Sequence, residues 1–184
     1  MERRYPLLEE DKRGKARYYL KDNFFKFWFS LVFPNSGLLE LGLYREVSKS
    51  IWSSIDFYTS QVFERVALQH FISLVKRGKV SVAKVGKWWL RDIEVDFVAI
   101  DVESNTVYFA EVKWSEKPLS KKILYSLISK AEKFSWRKNV RKDVYILYNK
   151  SGFTFGGEED VRLYTLQDLK RDFDNIYPTV RHFK

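Results

Sequence analysis

Apolar residues recur along this chain with two different periods. From residue 58 to 77 they fall at Val62, Phe63, Val66, Ala67, Phe71, Leu74 and Val75, the spacing of a helix that buries one stripe, and Lys76-Arg77-Gly78 ends it. The period then shortens to two. Val80, Val82 and Val85 alternate with polar residues and predict a strand over 80–87. Apolar runs over 93–101 and 106–113, joined by a polar turn at 102–105, predict a hairpin. Helical spacing returns over 119–134 at Leu119, Ile123, Leu124, Leu127, Ile128 and Ala131, with Pro118 placed where a helix can start. Residues 144–148 read as a buried strand and 161–164 as a short one. Thr165-Leu166-Gln167-Asp168 reads as a capping box that opens a last helix to about Phe173. Gly152, Gly156-Gly157 and the acids at 158–160 mark a loop, and its three carboxylates would repel a phosphate.

The first third of the chain is patterned differently. Residues 1–16 are polar and read as an ordered arm. Residues 18–33 are dense in Tyr, Phe and Trp, with Asp22 placed to cap a helix starting near Asn23. Such rings can stack on nucleic-acid bases, but a helix buried against the core is the expectation. Pro34-Asn35-Ser36-Gly37 predicts a turn, and 38–55 reads as a helical connection. The order is helix, three strands, helix, two strands, helix: an α/β fold. We divide it into an N-terminal arm and helical, aromatic-rich extension packed on the core (1–56) and a core (57–184).

A chain of 184 residues with 45% hydrophobic content can bury a core without staples. With no cysteine, disulfides and thiolate metal sites are excluded, and two isolated histidines make a zinc centre a poor fit, so any metal has to be held by oxygen. His70 lies on the apolar stripe of its helix and reads as a satisfied core histidine; His182 carries little information. For Trp88-Trp89, packing of both rings in the core is favoured over one of them walling a groove. The opening Met-Glu-Arg-Arg-Tyr-Pro has no apolar signal region and no apolar stretch reaches spanning length, so the expected location is the cytoplasm, without membrane contact.

Net charge is 33 − 24 = +9, and it is unevenly spread: residues 115–142 hold nine basic side chains against two acidic ones. From this segment we take Lys117, Lys121, Lys122, Arg137 and Lys138 as candidate nucleic-acid contacts, against the plainer reading of a solvated lysine face.

The chemistry concentrates in the hairpin. Asp96 stands in the first apolar run, and Glu111 and Lys113 stand two apart in the second, so they share one face of their strand. A hairpin through 102–105 can bring Asp96 beside them. Two adjacent carboxylates repel unless a cation sits between them, and a hard cation such as Mg2+ or Mn2+ takes oxygen ligands and activates water against a phosphodiester. Lys113 would orient that water or neutralise charge growing on the phosphate. On a wet strand, Glu-x-Lys would instead be a charge pair worth little. Here the charges interrupt β-branched and aromatic runs, where burial is costly without a partner or a function.

With fourteen residues between Asp96 and Glu111, the pattern Asp-x14-Glu-x-Lys resembles that of the PD-(D/E)XK, or restriction-endonuclease-like, superfamily. The stretch from Tyr18 to Phe29, then Phe33-Pro34-Asn35, Val85-Gly86-Lys87-Trp88-Trp89 and Glu111-Val112-Lys113-Trp114 resemble the C-terminal domain of archaeal AAA-type ATPases, a domain of unknown function. The resemblance covers nearly the whole chain. It implies a mixed central sheet flanked by helices, with Asp96, Glu111 and the backbone carbonyl of Val112 as metal ligands. It also implies that Glu64, on the flank of the first core helix beside Leu68, Phe71 and Val75, completes the metal site; otherwise Glu64 is a helix-edge charge pair. In that family a P-loop ATPase module usually precedes the domain. Here the Gly-Lys pairs Gly14-Lys15, Gly78-Lys79 and Gly86-Lys87 are followed by Ala16, Val80 and Trp88 and never by Ser or Thr, so no phosphate cradle of that kind exists, and a domain expressed alone or cut from a longer chain is expected.

The leading expectation is thus a Mg2+-dependent DNA nuclease domain, associated with an ATPase module in the same or another chain. The alternative keeps the fold without the chemistry, as a DNA-binding or dimerising module of an ATPase partner, with a homodimer as one form. RNA as the substrate stays open, because phosphate contacts carry no information on the sugar.

Overall fold

The computed structural model describes residues 1–9 and 14–176; His182 lies outside them. Its centre is a five-stranded mixed sheet in the order β3 (Lys84–Leu90), β4 (Ile93–Asp101), β5 (Thr106–Lys113), β6 (Lys142–Asn149), β7 (Val161–Thr165). The first three strands are antiparallel to their neighbours, while β6 and β7 add on in parallel. Helix α4 (Lys122–Ala131) makes the crossover from β5 to β6 that a parallel pair requires. Helices cover both faces, which is why β5 is buried from Thr106 to Val112 and reads as an almost unbroken apolar run.

One face packs Phe97, Ala110, Val112 and Ile146 under α3 (Tyr44–Lys76) and α5 (Leu166–Ile176), through Phe63, Phe71, Leu74 and Leu169. The other packs Val98, Phe109 and Leu147 under α4, through Leu124 and Leu127. Asp101 closes the hairpin: its carboxylate accepts from the backbone N–H groups of Glu103 (3.0 Å) and Ser104 (3.3 Å), and Asn105 turns the chain at φ 55°. The capping box is reciprocal, with Thr165 N donating to Asp168 Oδ2 (2.9 Å) and Asp168 N to Thr165 Oγ1 (3.2 Å), and the helix runs on to Ile176, past the expected Phe173.

Several expected boundaries move. The strand placed at 80–87 begins at Lys84 and continues through both tryptophans to Leu90, while Val80 serves the core from the preceding turn. The helix placed at 119–134 covers Lys122–Ala131, because Leu119 bridges to Phe153 in the loop that feeds β7. The helix placed at 58–77 begins at Tyr44, so one 33-residue helix runs unbroken across residue 56. Its buried positions, Val47 apart, lie between Phe63 and Leu74; Tyr44, Trp52 and Phe57 face solvent, so the first half buries no stripe against the sheet.

The aromatic segment differs most. Asp22 does cap α1 (Asn23–Phe27), accepting from Phe25 N at 3.1 Å, and a π-helical turn (Trp28–Val32) and a 3-10 turn (Phe33–Asn35) follow. The turn expected at 34–37 is this 3-10 turn leading into α2 (Ser36–Glu40). The expected burial is not found: Phe24, Phe25, Trp28, Phe29 and Phe33 are all exposed, and of these turns only Leu31 is buried. In the arm, β1 (Glu2–Arg4) and β2 (Arg17–Tyr19) pair antiparallel, an element without a signal in the sequence. Leu7 docks over β3, its N–H on Lys87 O at 2.9 Å, and a side chain at Gly86 would meet Leu7 Cδ1 at 3.3 Å. No helix among the described residues is long and apolar enough to cross a membrane.

Candidate active site

A register shift between β3 and β4 builds the site. Gly86 faces Val98 and Trp88 faces Val95, so Lys87 stands alone opposite two residues, Asp96 and Phe97. Such a bulge breaks the alternation of the strand: Val95 packs in the α4-side core and Phe97 in the α3-side core, where strict alternation would keep them together. Asp96, at the bulge, is aimed toward α3. The β4–β5 ladder stops one residue short of it, at Phe97–Ala110, and its side chain substitutes for the missing strand bond: Asp96 Oδ2 accepts from Val112 N at 2.8 Å.

Glu111 is buried on the other side, 5% exposed, and both its oxygens are held by ammonium groups. Lys113 Nζ is 2.7 Å from Oε1, and Lys130 Nζ, reaching down from α4, is 3.0 Å from Oε1 and 2.8 Å from Oε2. The alternation that places Glu111 and Lys113 on one face therefore holds, and they pair within their strand. Glu64 projects from α3 and meets Lys87 Nζ at 3.2 Å; Lys87 also binds Glu94, which Arg17 holds from the arm. A cleft of about 390 Å³ opens above, lined by Asp96, Glu64, Glu94 and Lys87 from the core and by Arg4, Lys26 and Arg65 from the arm, α1 and α3. Glu111 and Lys113 do not line it.

The electrostatics tie the two sides together. Burial, then the negative charges of Glu111 and Glu64, push the Asp96 carboxyl up to about 7, against the hydrogen bond from Val112 that favours the anion. Burial alone would lower the Lys87 ammonium, but Glu64 and the hydrogen bond to Glu94 hold it above the ordinary lysine value. Lys113 is likewise raised: burial opposes its charge and Glu111 more than restores it. Three mutually repelling carboxylates are thus countered by lysine ammonium groups. Among the described residues, no His, Asp and Glu side chains are gathered in threes or more as a metal cage stands ready-made. The donor set itself is all oxygen, and the lysines occupy places where a hard cation would do the same electrostatic work.

Lys87, Lys130 and Glu94 were missed as site residues. Lys87 lies in the Gly-Lys-Trp-Trp segment, where both Trp88 and Trp89 are buried, the core packing expected of them. His70 is buried as expected, its ring nitrogens 3.1 Å from Tyr148 Oη and 3.0 Å from Asp172 Oδ2.

The candidate phosphate contacts of segment 115–142 spread over the surface and form no common site with Asp96. Lys121 pairs with Glu158 at 2.8 Å, and Arg137 lies on Trp136 and donates to Asn105 Oδ1 at 3.2 Å. Lys117, Lys122 and Lys138 are exposed and make no ion pair among the described residues. Arg141 is sunk into the structure, its side chain 2% exposed, bound to Asp143 and to the carbonyls of Ala131, Phe134 and Trp136.

The chain belongs to the DUF234 family, archaeal and bacterial proteins of unknown function, which matches it over residues 28–127. That stretch takes in α3 and the whole β3–β4–β5 hairpin region. An uncharacterized protein of Methanocaldococcus jannaschii is 37% identical over 118 residues, 63% of this chain and 26% of that protein. The chain thus spans about a quarter of the length of the curated relative it matches. No solved structure matches it.

Proposed function

We infer that this chain is a Mg2+-dependent nuclease-like domain that hydrolyses phosphodiester bonds in DNA, with a restriction-endonuclease-like core. The observation that carries the reading is that Asp96, fixed by Val112 N at the β3–β4 bulge, and Glu64 face one cleft, where burial and the negative charges of Glu111 and Glu64 push the Asp96 carboxyl up. The architecture supports it, since a mixed central sheet flanked by helices is what the resemblance to the superfamily implies.

Asp96 and Glu64 on the cleft side would hold the cation, with Glu111 and the Val112 carbonyl joining from the other side where the cation displaces the ammonium groups on Glu111; when bound it supplies a Lewis acid for the phosphate and a lowered pKa for water. The chain's own part is to position and compensate. Asp96, tethered by Val112 N, is fixed at the mouth of the cleft; Glu111 is held in place by two ammonium groups; and Lys113, 45% exposed, has its Nζ placed to meet charge that develops on a phosphate. The bulge is the device that turns Asp96 toward the cleft. The test is single-turnover cleavage of branched, flapped and linear DNA with Mg2+ or Mn2+ by wild type, Asp96→Ala and Lys113→Ala. Cutting by wild type alone is the expected result; no cutting by any of them, or equal cutting by all, overturns the enzyme.

A specific observation favours the second reading, a binding module of an ATPase partner. Phe27, Tyr44, Val47, Ile51, Trp52 and Ile55 line an apolar groove of about 370 Å³ along the solvent half of α3, and the chain spans 26% of its relative's length. Steep, salt-dependent DNA binding without cleavage would support it.

A further inference from the structure

We propose that Lys26 and Arg65 form a phosphate-binding wall in the cleft beside Asp96, so that the N-terminal extension together with α3, and not the basic segment 115–142, holds the sugar-phosphate backbone of the nucleic acid. The site rests on the nuclease reading only for what lies next to it; the binding itself needs no metal.

The cleft lining carries Arg4, Lys26, Arg65 and Lys87 against Glu64, Glu94 and Asp96, a balance of 4 − 3 = +1 with every carboxylate ionised. The cations divide by partner. Lys87 is spoken for by Glu64 and Glu94, and Arg4 by Glu2 at 2.8 Å. Lys26 and Arg65 have no carboxylate within ion-pair distance among the described residues. Arg65 NH1 donates to Lys21 O at 2.8 Å, which orients the guanidinium without a carboxylate in contact with it. Both are half-buried, so water screens them less than it screens an exposed lysine. Burial first, then Arg65 and Arg4, pull the Lys26 ammonium below its ordinary value: these cations repel one another, and an anion between them would relieve the strain.

The neighbouring surface fits a nucleic-acid strand better than a small anion. On the same turns as Lys26, Phe25 and Phe29 stack at 6.2 Å between centroids and Phe29 meets Phe33 at 5.8 Å, all three exposed. Cations along a cleft, with exposed rings on the same turns as one of them, are elements from which single-strand sites are built, phosphates on the first and bases on the second.

The experiment is fluorescence anisotropy in EDTA, with labelled single-stranded and duplex DNA of about 20 nucleotides, over a salt series. Lys26→Ala/Arg65→Ala should weaken single-strand binding by about tenfold or more and lower the salt slope by roughly 1.4 to 1.8 units, about one release per lost contact. The charge-conserving Lys26→Arg/Arg65→Lys should keep both the affinity and the slope, and equal melting temperatures separate lost contacts from lost fold. Lys117→Ala/Lys122→Ala/Lys138→Ala should change affinity less than the double variant. Equal or larger losses in that triple variant, an unaffected double variant, or no oligonucleotide binding by wild type at low salt would each overturn the wall. Cleavage is read separately with Mg2+: a wild type that binds through Lys26 and Arg65 but never cuts keeps the wall and removes the nuclease, while cutting with binding indifferent to the double variant does the reverse.

Discussion

The cleft and the segment 115–142 are both basic, yet their charges are in different states. The segment is rich in lysine, but the fold spends much of that charge internally: the acidic loop at 158–160 takes Lys121 and Lys142, Asp143 and three carbonyls take Arg141, and Glu111 takes Lys130. What is left is exposed and solvated. The cleft has fewer cations, but Lys26 and Arg65 are half-buried, unpaired by carboxylates and next to a carboxylate cluster. Charge counted along a sequence therefore measures what a region could attract, while partners and burial decide what remains available.

The largest effect that would sharpen this contrast is on rate. If chemistry belongs to the carboxylate cluster, Lys113→Ala should lower single-turnover cleavage by on the order of 10²-fold or more, the usual loss when one charge-stabilising group is removed, while DNA affinity barely moves. Parallel losses of affinity and rate would make Lys113 a binding residue and blur the division between the two regions.

Next is stability. Arg141→Met removes a buried guanidinium and leaves Asp143 and the carbonyls of Ala131, Phe134 and Trp136 short of a donor, so denaturant unfolding should lose about 2–4 kcal/mol. DNA affinity at temperatures where the variant is folded should be unchanged. A variant of native stability with weakened DNA binding would return Arg141 to the phosphate-binding set.

A smaller effect tests the strain at Asp96. Its folded pKa, up to about 7, lies above the unfolded value near 3.9, so between those two pH values the native state keeps a proton that the unfolded chain has released. Stability then falls as pH rises through that window, and the penalty is complete above about 7. Asp96→Asn carries no such charge. Without metal it should be more stable than wild type at pH 8, on the order of 2 kcal/mol because the carboxylate opens to the cleft, and indistinguishable at pH 4. In wild type, Mn2+ should raise the melting temperature; in Asp96→Asn and Glu111→Gln it should not. An Asn variant less stable than wild type at both pH values would mean the cluster carries no strain.

Part of this site was legible in the sequence because it depends on local spacing. Period-two alternation places Glu111 with Lys113, the polar stretch at 102–105 forces the hairpin, and the helical stripe around Phe63 and Phe71 presents Glu64 to the sheet. What was not legible depends on register and on distant packing. The bulge that turns Asp96 exists only when β3 is aligned with β4, and Lys87 gains its role there. Lys26 and Arg65 are separated by the aromatic turns and half of α3, so nothing in the sequence joins them. The aromatic stretch misled for a related reason: ring density measures the area that could be buried, and the turns here break into α, π and 3-10 segments that leave most rings outside.

The smallest expected effect concerns Lys130, which belongs to the basic segment by sequence and to the site by contact. Its ammonium is held between the two oxygens of a buried Glu111, beside Lys113. If these lysines do the work of a cation while none is bound, Lys130→Met should destabilise the metal-free protein by about 1–2 kcal/mol, since Glu111 keeps only one of its countercharges. Mn2+ should then restore more in the variant than it adds to wild type, because the metal no longer competes with an ammonium for the same oxygens. The melting-temperature gain on Mn2+ addition should accordingly be larger in Lys130→Met than in wild type, by a few degrees for a domain of this size. A smaller gain would mean that Lys130 helps Glu111 face the metal and does not stand in for it. The segment 115–142 would then serve the site through an inward contact, while its exposed lysines remain solvated.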